Sequence, residues 1–322
     1  MARKEKRLES ILVEANSSVV ILNGGTGNQL FQYCLARQIG MDLGITVYLD
    51  TTLLRIAHIS SNQRPTIEKL SLPQTIFFCN VGKLKSHASK YFSEFSRQMS
   101  REYLAFIRSL PQTSPLKLQQ QSNQIYDREI KPEKKSVYMG SFTSVQYWQE
   151  NAGSILQEIN ESLAIYSSLQ RNSREVEGLE IVIHARRGDF FSNPKTRKIH
   201  GVYGIEYYLK GLSMLDASNF KSLTILSDDF LFATHLQRAI VSSFPYFATK
   251  ISAEKDPLML LSLYSRSKAF IGSNSTFSWW LANLGNNKVR ILPAKWFDKG
   301  NFELESSEYF PLKTQLLSAP FE

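Results

Sequence analysis

A chain of 322 residues with 43% hydrophobic and 21% charged side chains is long enough for two compact domains and has the balance of a globular protein. Its 38 Lys and Arg against 29 Asp and Glu leave a formal charge of +9, which favours an anionic partner such as a nucleotide or an acidic lipid. Two cysteines, Cys34 and Cys79, exclude a cystine-stapled secreted framework, zinc-finger spacing is absent so nucleic acid is disfavoured, and LMLLSLY at 258–264 is too short to cross a bilayer.

In chain order, MARKEKR opens a basic extension over residues 1–16 that lacks an apolar leader. A cytoplasmic protein is expected, and the basic residues permit peripheral attachment to the inner face of a membrane. VVIL then predicts a strand, NGGTG a glycine turn, and the next residues a helix from about Asn28 to Leu43 that Gly44 ends before a second strand in ITVYLD. This β–turn–α–β order favours a parallel sheet with helical crossovers. Residues 52–136 hold polar loops, a helix around 92–109 and the Pro/Gln-rich stretch PQTSPLKLQQQSNQ. SVYMGSFTSVQYW restores a strand and turn, and AGSILQEINESLAIYSSL reads as a helix, with the domain change near 150–178. The second half repeats strand and helix: LEIVIHA, GIEYYLKGLSML, SLTILS, PLMLLSLY, KAFIG and the short strand in KVRILP. A second doubly wound α/β domain is expected. The divisions are 17–160 for the N-terminal domain, 161–300 for the C-terminal domain, and 301–322 for a tail that packs back on the N-terminal domain.

Four loops carry chemistry. In NGGTGNQL (23–30), Gly24, Gly25 and Gly27 allow tight turns and close backbone approach, so the loop is either structural or presents N–H groups to phosphate or a polar substrate. Asn28 and Gln29 favour the ligand reading because both amides donate and accept. Leu30 breaks the three-glycine dinucleotide pattern and no P-loop lysine is present, which disfavours a dinucleotide oxidoreductase and a P-loop phosphotransferase. In HARRGDFF (184–191), Arg186 or Arg187 could clamp a phosphate, His184 could touch a base or sugar or bond within the turn, and Asp189 could orient an arginine or cap the loop. Asp228 and Asp229 in SDDF follow a strand, where carboxylates could meet a ribose or base or form the turn. With no third carboxylate or histidine beside them, no metal is expected. In GSNSTFSWW (272–280), Ser273, Asn274, Ser275 and Thr276 gather hydroxyls and an amide at a helix start, more than capping requires, in the field that favours phosphate.

Two arginines and a Ser/Thr-rich helix start suit a diphosphate leaving group. In combination, GGTGNQLFQY at 24–33, HARRGDF at 184–190, SDD at 227–229 and NSTFSWWLANL at 274–284 resemble the inverting α-1,2-fucosyltransferases of glycosyltransferase family 11, across roughly residues 18–298. The resemblance implies a GT-B fold, two Rossmann-like domains facing a cleft. It implies GDP-β-L-fucose as donor and the 2-hydroxyl of a galactose residue as acceptor, in an oligosaccharide or a lipid-linked glycan, with no cofactor or essential metal. It implies Arg186 on the departing diphosphate, Arg187 assisting or holding the loop, and His184 on the nucleotide side. Asn274, Ser275 and Thr276 would meet phosphate, Asp228 or Asp229 would support the donor, and Gly25, Gly27 and Asn28 would approach from the N-terminal domain. Asp189 lies within the motif as a candidate general base. The chain departs from the family at Phe190, where tyrosine is common. A transferase of another nucleotide-sugar, or a noncatalytic nucleotide- or carbohydrate-binding module, would share these phosphate contacts.

Overall fold

A computed structural model describes residues 6–7, 17–57, 64–80, 92–113, 116–122, 126–170, 180–216, 219–285, 289–298 and 314–322. The chain divides into two units, 1–158 and 159–322, and the division falls within the helix Ala152–Leu169. The sequence-based limit of 160 lies in that same helix.

The first unit holds one sheet of six parallel strands: β1 (Lys6–Arg7), β2 (Ser17–Ile21), β3 (Thr46–Asp50), β4 (Ile76–Asn80), β5 (Lys117–Gln120) and β6 (Ser136–Met139). Their order is β1-β4-β3-β2-β6-β5. The second unit repeats the plan with β7 (Ile181–Ala185), β8 (Ser222–Ser227), β9 (Ala248–Ile251), β10 (Ala269–Ile271), β11 (Val289–Pro293) and β12 (Gln315–Leu317), in the order β12-β11-β10-β7-β8-β9. All of its pairings are parallel. Both are Rossmann-like sheets flanked by helices, as the βα alternation predicts.

The central strands are buried throughout because both faces of a parallel sheet are covered. Val19, Val20 and Ile21 of β2 and Ile181, Val182 and Ile183 of β7 are all buried. Alternation then sorts β7. Ile181, Ile183 and Ala185 join the core made by Tyr207, Tyr208 and Leu236. His184 therefore points to the opposite face, where Ser278 of the helix Thr276–Asn283 meets it.

This order creates one switch point per sheet. From β2 the chain builds β3 and β4 on one side and returns to place β6 on the other; from β7 it builds β8 and β9, then β10. At such points the loops leaving the strands' carboxyl ends diverge, opening a crevice for ligand. The sequence motifs occupy those loops: 22–25 after β2, 186–187 after β7 and 272–275 after β10.

Two sequence-based placements change. The helix expected from Asn28 begins at Thr26, with Gly25 as its N-cap, so Gly27 lies in the first turn rather than in the loop. The N-terminal extension contributes β1, which pairs with Cys79 and Asn80 of β4. The described end of the tail, residues 314–322, joins the second unit. Gln315–Leu317 add a parallel strand beside β11, Leu317 is buried, and Phe321 packs on Tyr203. The edge of the second sheet thus gains both a ladder and apolar cover; 301–313 lie outside the described residues.

Candidate active site

The loop after β7 turns straight into two short helices, Gly188–Ser192 and Pro194–His200. Asp228, at the end of β8, organises this turn. One of its oxygens accepts the backbone N–H groups of Arg187 at 2.8 Å and Gly188 at 3.1 Å, and the other pairs with the Arg186 guanidinium. A side chain at Gly188 would meet that carboxylate at 2.3 Å and force Asp228 out of this arrangement. The loop's amides are therefore committed to a carboxylate. What remains for an anion is Arg186 itself.

The two adjacent arginines differ sharply. The Arg186 side chain is 33% exposed, held between Asp189 and Asp228, and its backbone N–H donates to Ser273 Oγ at 3.2 Å. Arg187 is 5% exposed. Its guanidinium lies 4.1 Å from the Phe232 ring and 4.4 Å from the Phe191 ring, and bonds Glu322 at 2.5 Å and the Tyr203 carbonyl at 3.3 Å. Stacking and enclosure make Arg187 a pillar of the loop, the loop-holding alternative of the sequence reading. Asp189 is 56% exposed and paired with Arg186, the orienting alternative of the sequence reading. Asp229 caps the helix Phe230–Ser243, its Oδ1 accepting from Phe232 N at 2.9 Å.

The loop after β10 wraps around Ser278, whose importance sequence reasoning missed. Its hydroxyl bonds His184 Nδ1 at 2.6 Å, Ser273 N at 3.0 Å and Ser273 Oγ at 3.1 Å. Ser275 caps the helix by accepting from Ser278 N at 3.1 Å. The S-x-x-S spacing of Ser275 and Ser278 was the available signal, a relative of the capping box. Asn274 is buried, donates to the carbonyls of His200 at 2.8 Å and Trp296 at 3.1 Å, and keeps its Oδ1 without a hydrogen bond in the interior. Thr276, first in the helix, is partly exposed. The structure thus gathers His184, Arg186, Asp189, Asp228, Asn274, Ser275 and their neighbours at one switch point. Burial pushes the His184 imidazole down to about 4, opposed by Asp228 and reinforced by Arg186, so it is neutral at pH 7.

In the first unit the corresponding loop is neutral. Gly24 adopts φ +74°, and a Cβ there would strike Asn28 Nδ2 at 2.4 Å. Asn28 is partly exposed, whereas Gln29 is fully buried. Gln29 donates to the carbonyls of Gly24 at 3.1 Å and Arg64 at 2.8 Å and accepts from Thr66 N at 2.9 Å, so its amide is scaffold, against the ligand reading. Gln32 does the same for the loop after β6, donating to Gly140 O at 2.8 Å while accepting from Asn23 N at 3.1 Å. Phe142 in that loop is buried with φ 51°, a conformation that costs about 1–3 kcal/mol in a non-glycine residue. Asn28, Gly25 and Gly27 belong to this first unit, and the Arg186 loop to the second.

Among the described residues no group of three or more His, Cys, Asp or Glu could hold a metal ion, and both cysteines are buried thiols outside any disulfide. No described helix is long and apolar enough to cross a membrane.

Comparison with known proteins gives this geometry a family. The chain is 27% identical to an α-1,2-colitosyltransferase of Escherichia coli over 92% of its own length and 98% of the relative's. It is 32% identical to the O-antigen biosynthesis glycosyltransferase WbnK of Escherichia coli, over 37% of this chain and only 39% of that relative. The crystal structure of the fucosyltransferase NodZ from Bradyrhizobium aligns over 85% of this chain and 94% of its own, at 12% identity and a TM-score of 0.40. Residues 123–312, more than half of the sequence and including every motif of the second unit, match Glycosyl transferase family 11. The chain is a glycosyltransferase and belongs to glycosyl transferase family 11.

Proposed function

We propose that this chain is an inverting galactoside α-1,2-fucosyltransferase, which moves L-fucose from GDP-β-L-fucose to the 2-hydroxyl of a galactose residue. Arg186 is the observation that carries the donor half. It is a permanently charged fork at the rim of a switch point, preset by Asp228 and Asp189 and tied through its backbone to Ser273. The acceptor oxygen forms a bond to the fucose anomeric carbon as the bond from that carbon to the β-phosphate oxygen breaks. The electron pair leaves with GDP, and the hydroxyl proton passes to a base or to water. Negative charge grows on the diphosphate during this displacement, and Arg186 stabilises it there. Asp189 acts on Arg186, holding it in place, and is a positioning residue rather than the base.

The remaining donor contacts follow from position. His184 stays neutral and holds the nucleotide side, Ser275 and Thr276 bring phosphate to a helix N-terminus, and Asn274, Arg187, Asp228 and Asp229 frame the loops. Asn28, with the backbone at Gly25 and Gly27, serves the acceptor side. A cytoplasmic protein that meets a galactose-terminated glycan, free or lipid-linked at the inner face of a membrane, fits the excess of basic residues.

A second reading keeps the linkage and changes the sugar. The relative aligned over nearly the whole chain is a colitosyltransferase, which favours nucleotide-activated colitose as a competing donor. Mass spectrometry of products from a galactoside panel, offered each donor in turn, separates the two. A deoxyhexose added from GDP-fucose, at the 2-hydroxyl by linkage analysis, is the expected result. Transfer of colitose alone overturns the fucosyl assignment, and no transfer from any nucleotide-sugar overturns the donor site.

A further inference from the structure

The buried Arg187 depends on residues far away in sequence. Its Nη1 bonds Glu322 Oε2 at 2.5 Å; its other carboxylate neighbour, Asp229, stands 3.7 Å from Nε, which lies buried with no hydrogen bond. Glu322 is in turn fixed on both sides. Its N–H donates to the Val202 carbonyl at 2.9 Å, and its own carbonyl accepts from Arg197 Nη2 at 3.3 Å. Arg197 also lies over the Phe191 ring, at 4.7 Å, so Glu322 connects both arginines that cover that ring. Phe321 anchors the segment. Its ring sits 4.7 Å from Tyr203 and 4.8 Å from Lys295 Nζ, and it covers Gly201, where φ is +67° and a Cβ would come within 2.5 Å of the ring.

A surface ion pair with a half-exposed glutamate would contribute about 0–1 kcal/mol to folding and little else. Here one partner is enclosed, and that partner's backbone belongs to the donor loop. The N–H groups of Arg187 and Gly188 donate to Asp228 Oδ1, and Asp228 Oδ2 holds Arg186. Displacement of the Arg187 side chain therefore moves the amides that orient Asp228, and with them the Arg186 guanidinium that Asp228 holds.

We propose that Glu322 is a positioning residue for the donor site, acting on Arg186 through Arg187 and Asp228, with Phe321 as its anchor. This rests on the reading of Arg186 as the diphosphate ligand. Glu322 touches no substrate in this account; its effect falls on nucleotide binding, the donor's KM and the transfer rate that depend on Arg186, and spares the acceptor KM.

The test is calorimetric titration of GDP into the full-length chain, with transfer kinetics alongside. Glu322→Gln raises the GDP Kd and the donor KM together, by about 10-fold, the size expected of coupled charged neighbours. The acceptor KM stays near wild type, and Glu322→Asp recovers part of the loss. In an Arg187→Gln background, Glu322→Gln adds nothing, because the link it acts through is already gone. GDP affinity unchanged in Glu322→Gln, or losses that simply add in the double variant, overturns the proposal while leaving the donor site in place. Failure of the wild-type chain itself to bind GDP overturns the donor reading, and this inference with it.

Discussion

The loop that follows β2 and the loop that follows β7 leave equivalent strands of equivalent sheets, yet they are built from opposite chemistry. Residues 23–32 contain no charged side chain, and their buried glutamines, Gln29 and Gln32, are spent on neighbouring backbone. Residues 184–189 contain a histidine, two arginines and an aspartate, with Asp228 and Asp229 arriving from β8. Topology opens the crevice in both units; side chains decide what each can receive. The neutral loop suits a sugar hydroxyl, and the charged one suits a diphosphate.

The sharpest way to break this comparison lies within the charged loop, where Arg186 and Arg187 are adjacent and unequal. Arg187→Ala leaves Glu322 without its partner and two aromatic faces unfilled, and should cost about 3–5 kcal/mol of folding stability. Arg186→Ala, at a third exposed, should change stability by no more than about 1 kcal/mol. Denaturant midpoints measure both, and equal losses would contradict the division of labour.

In the neutral loop, Gly24→Ala forces a Cβ onto a positive φ and into Asn28, costing about 1–3 kcal/mol. The acceptor KM should rise while GDP affinity holds. A loss confined to GDP binding would assign the loop to the donor.

His184 gives the effect that depends on pH. Burial lowers its folded-state pKa to about 4, below the unfolded value near 6.5, so the unfolded chain binds the extra proton between those limits. Its contribution to stability is complete above pH 6.5 and is lost as pH falls from 6.5 towards 4. His184→Gln should flatten the dependence of melting temperature on pH across that window. An unchanged slope would remove His184 as its source.

Much of this was legible in the sequence, for identifiable reasons. Apolar runs such as VVIL and IVI, ended by glycine or charge, marked the switch strands, and the helix over 152–169 carried its periodicity plainly. The helix Pro194–His200 escaped notice although Asn193 and Pro194 form a cap-and-proline start. Strands as short as β9 and β12 hold too few residues to show alternation; parallel neighbours define them. Neighbouring arginines read alike, since burial is set by residues elsewhere: Phe232 and Glu322 lie 45 and 135 positions from Arg187. Gln29 read as a ligand amide for the same reason, because its partners at 64 and 66 are far along the chain.

The most direct test of the central claim is single-turnover transfer from saturating GDP-fucose to a galactoside, comparing the wild-type chain with Arg186→Ala. The account predicts that the variant still binds GDP and acceptor but forms product about 10²–10³-fold more slowly, the loss expected when one preorganised charge contact to the transition state is removed. A single-turnover rate equal to wild type would show that the departing diphosphate is stabilised elsewhere, and would contradict the role given to Arg186.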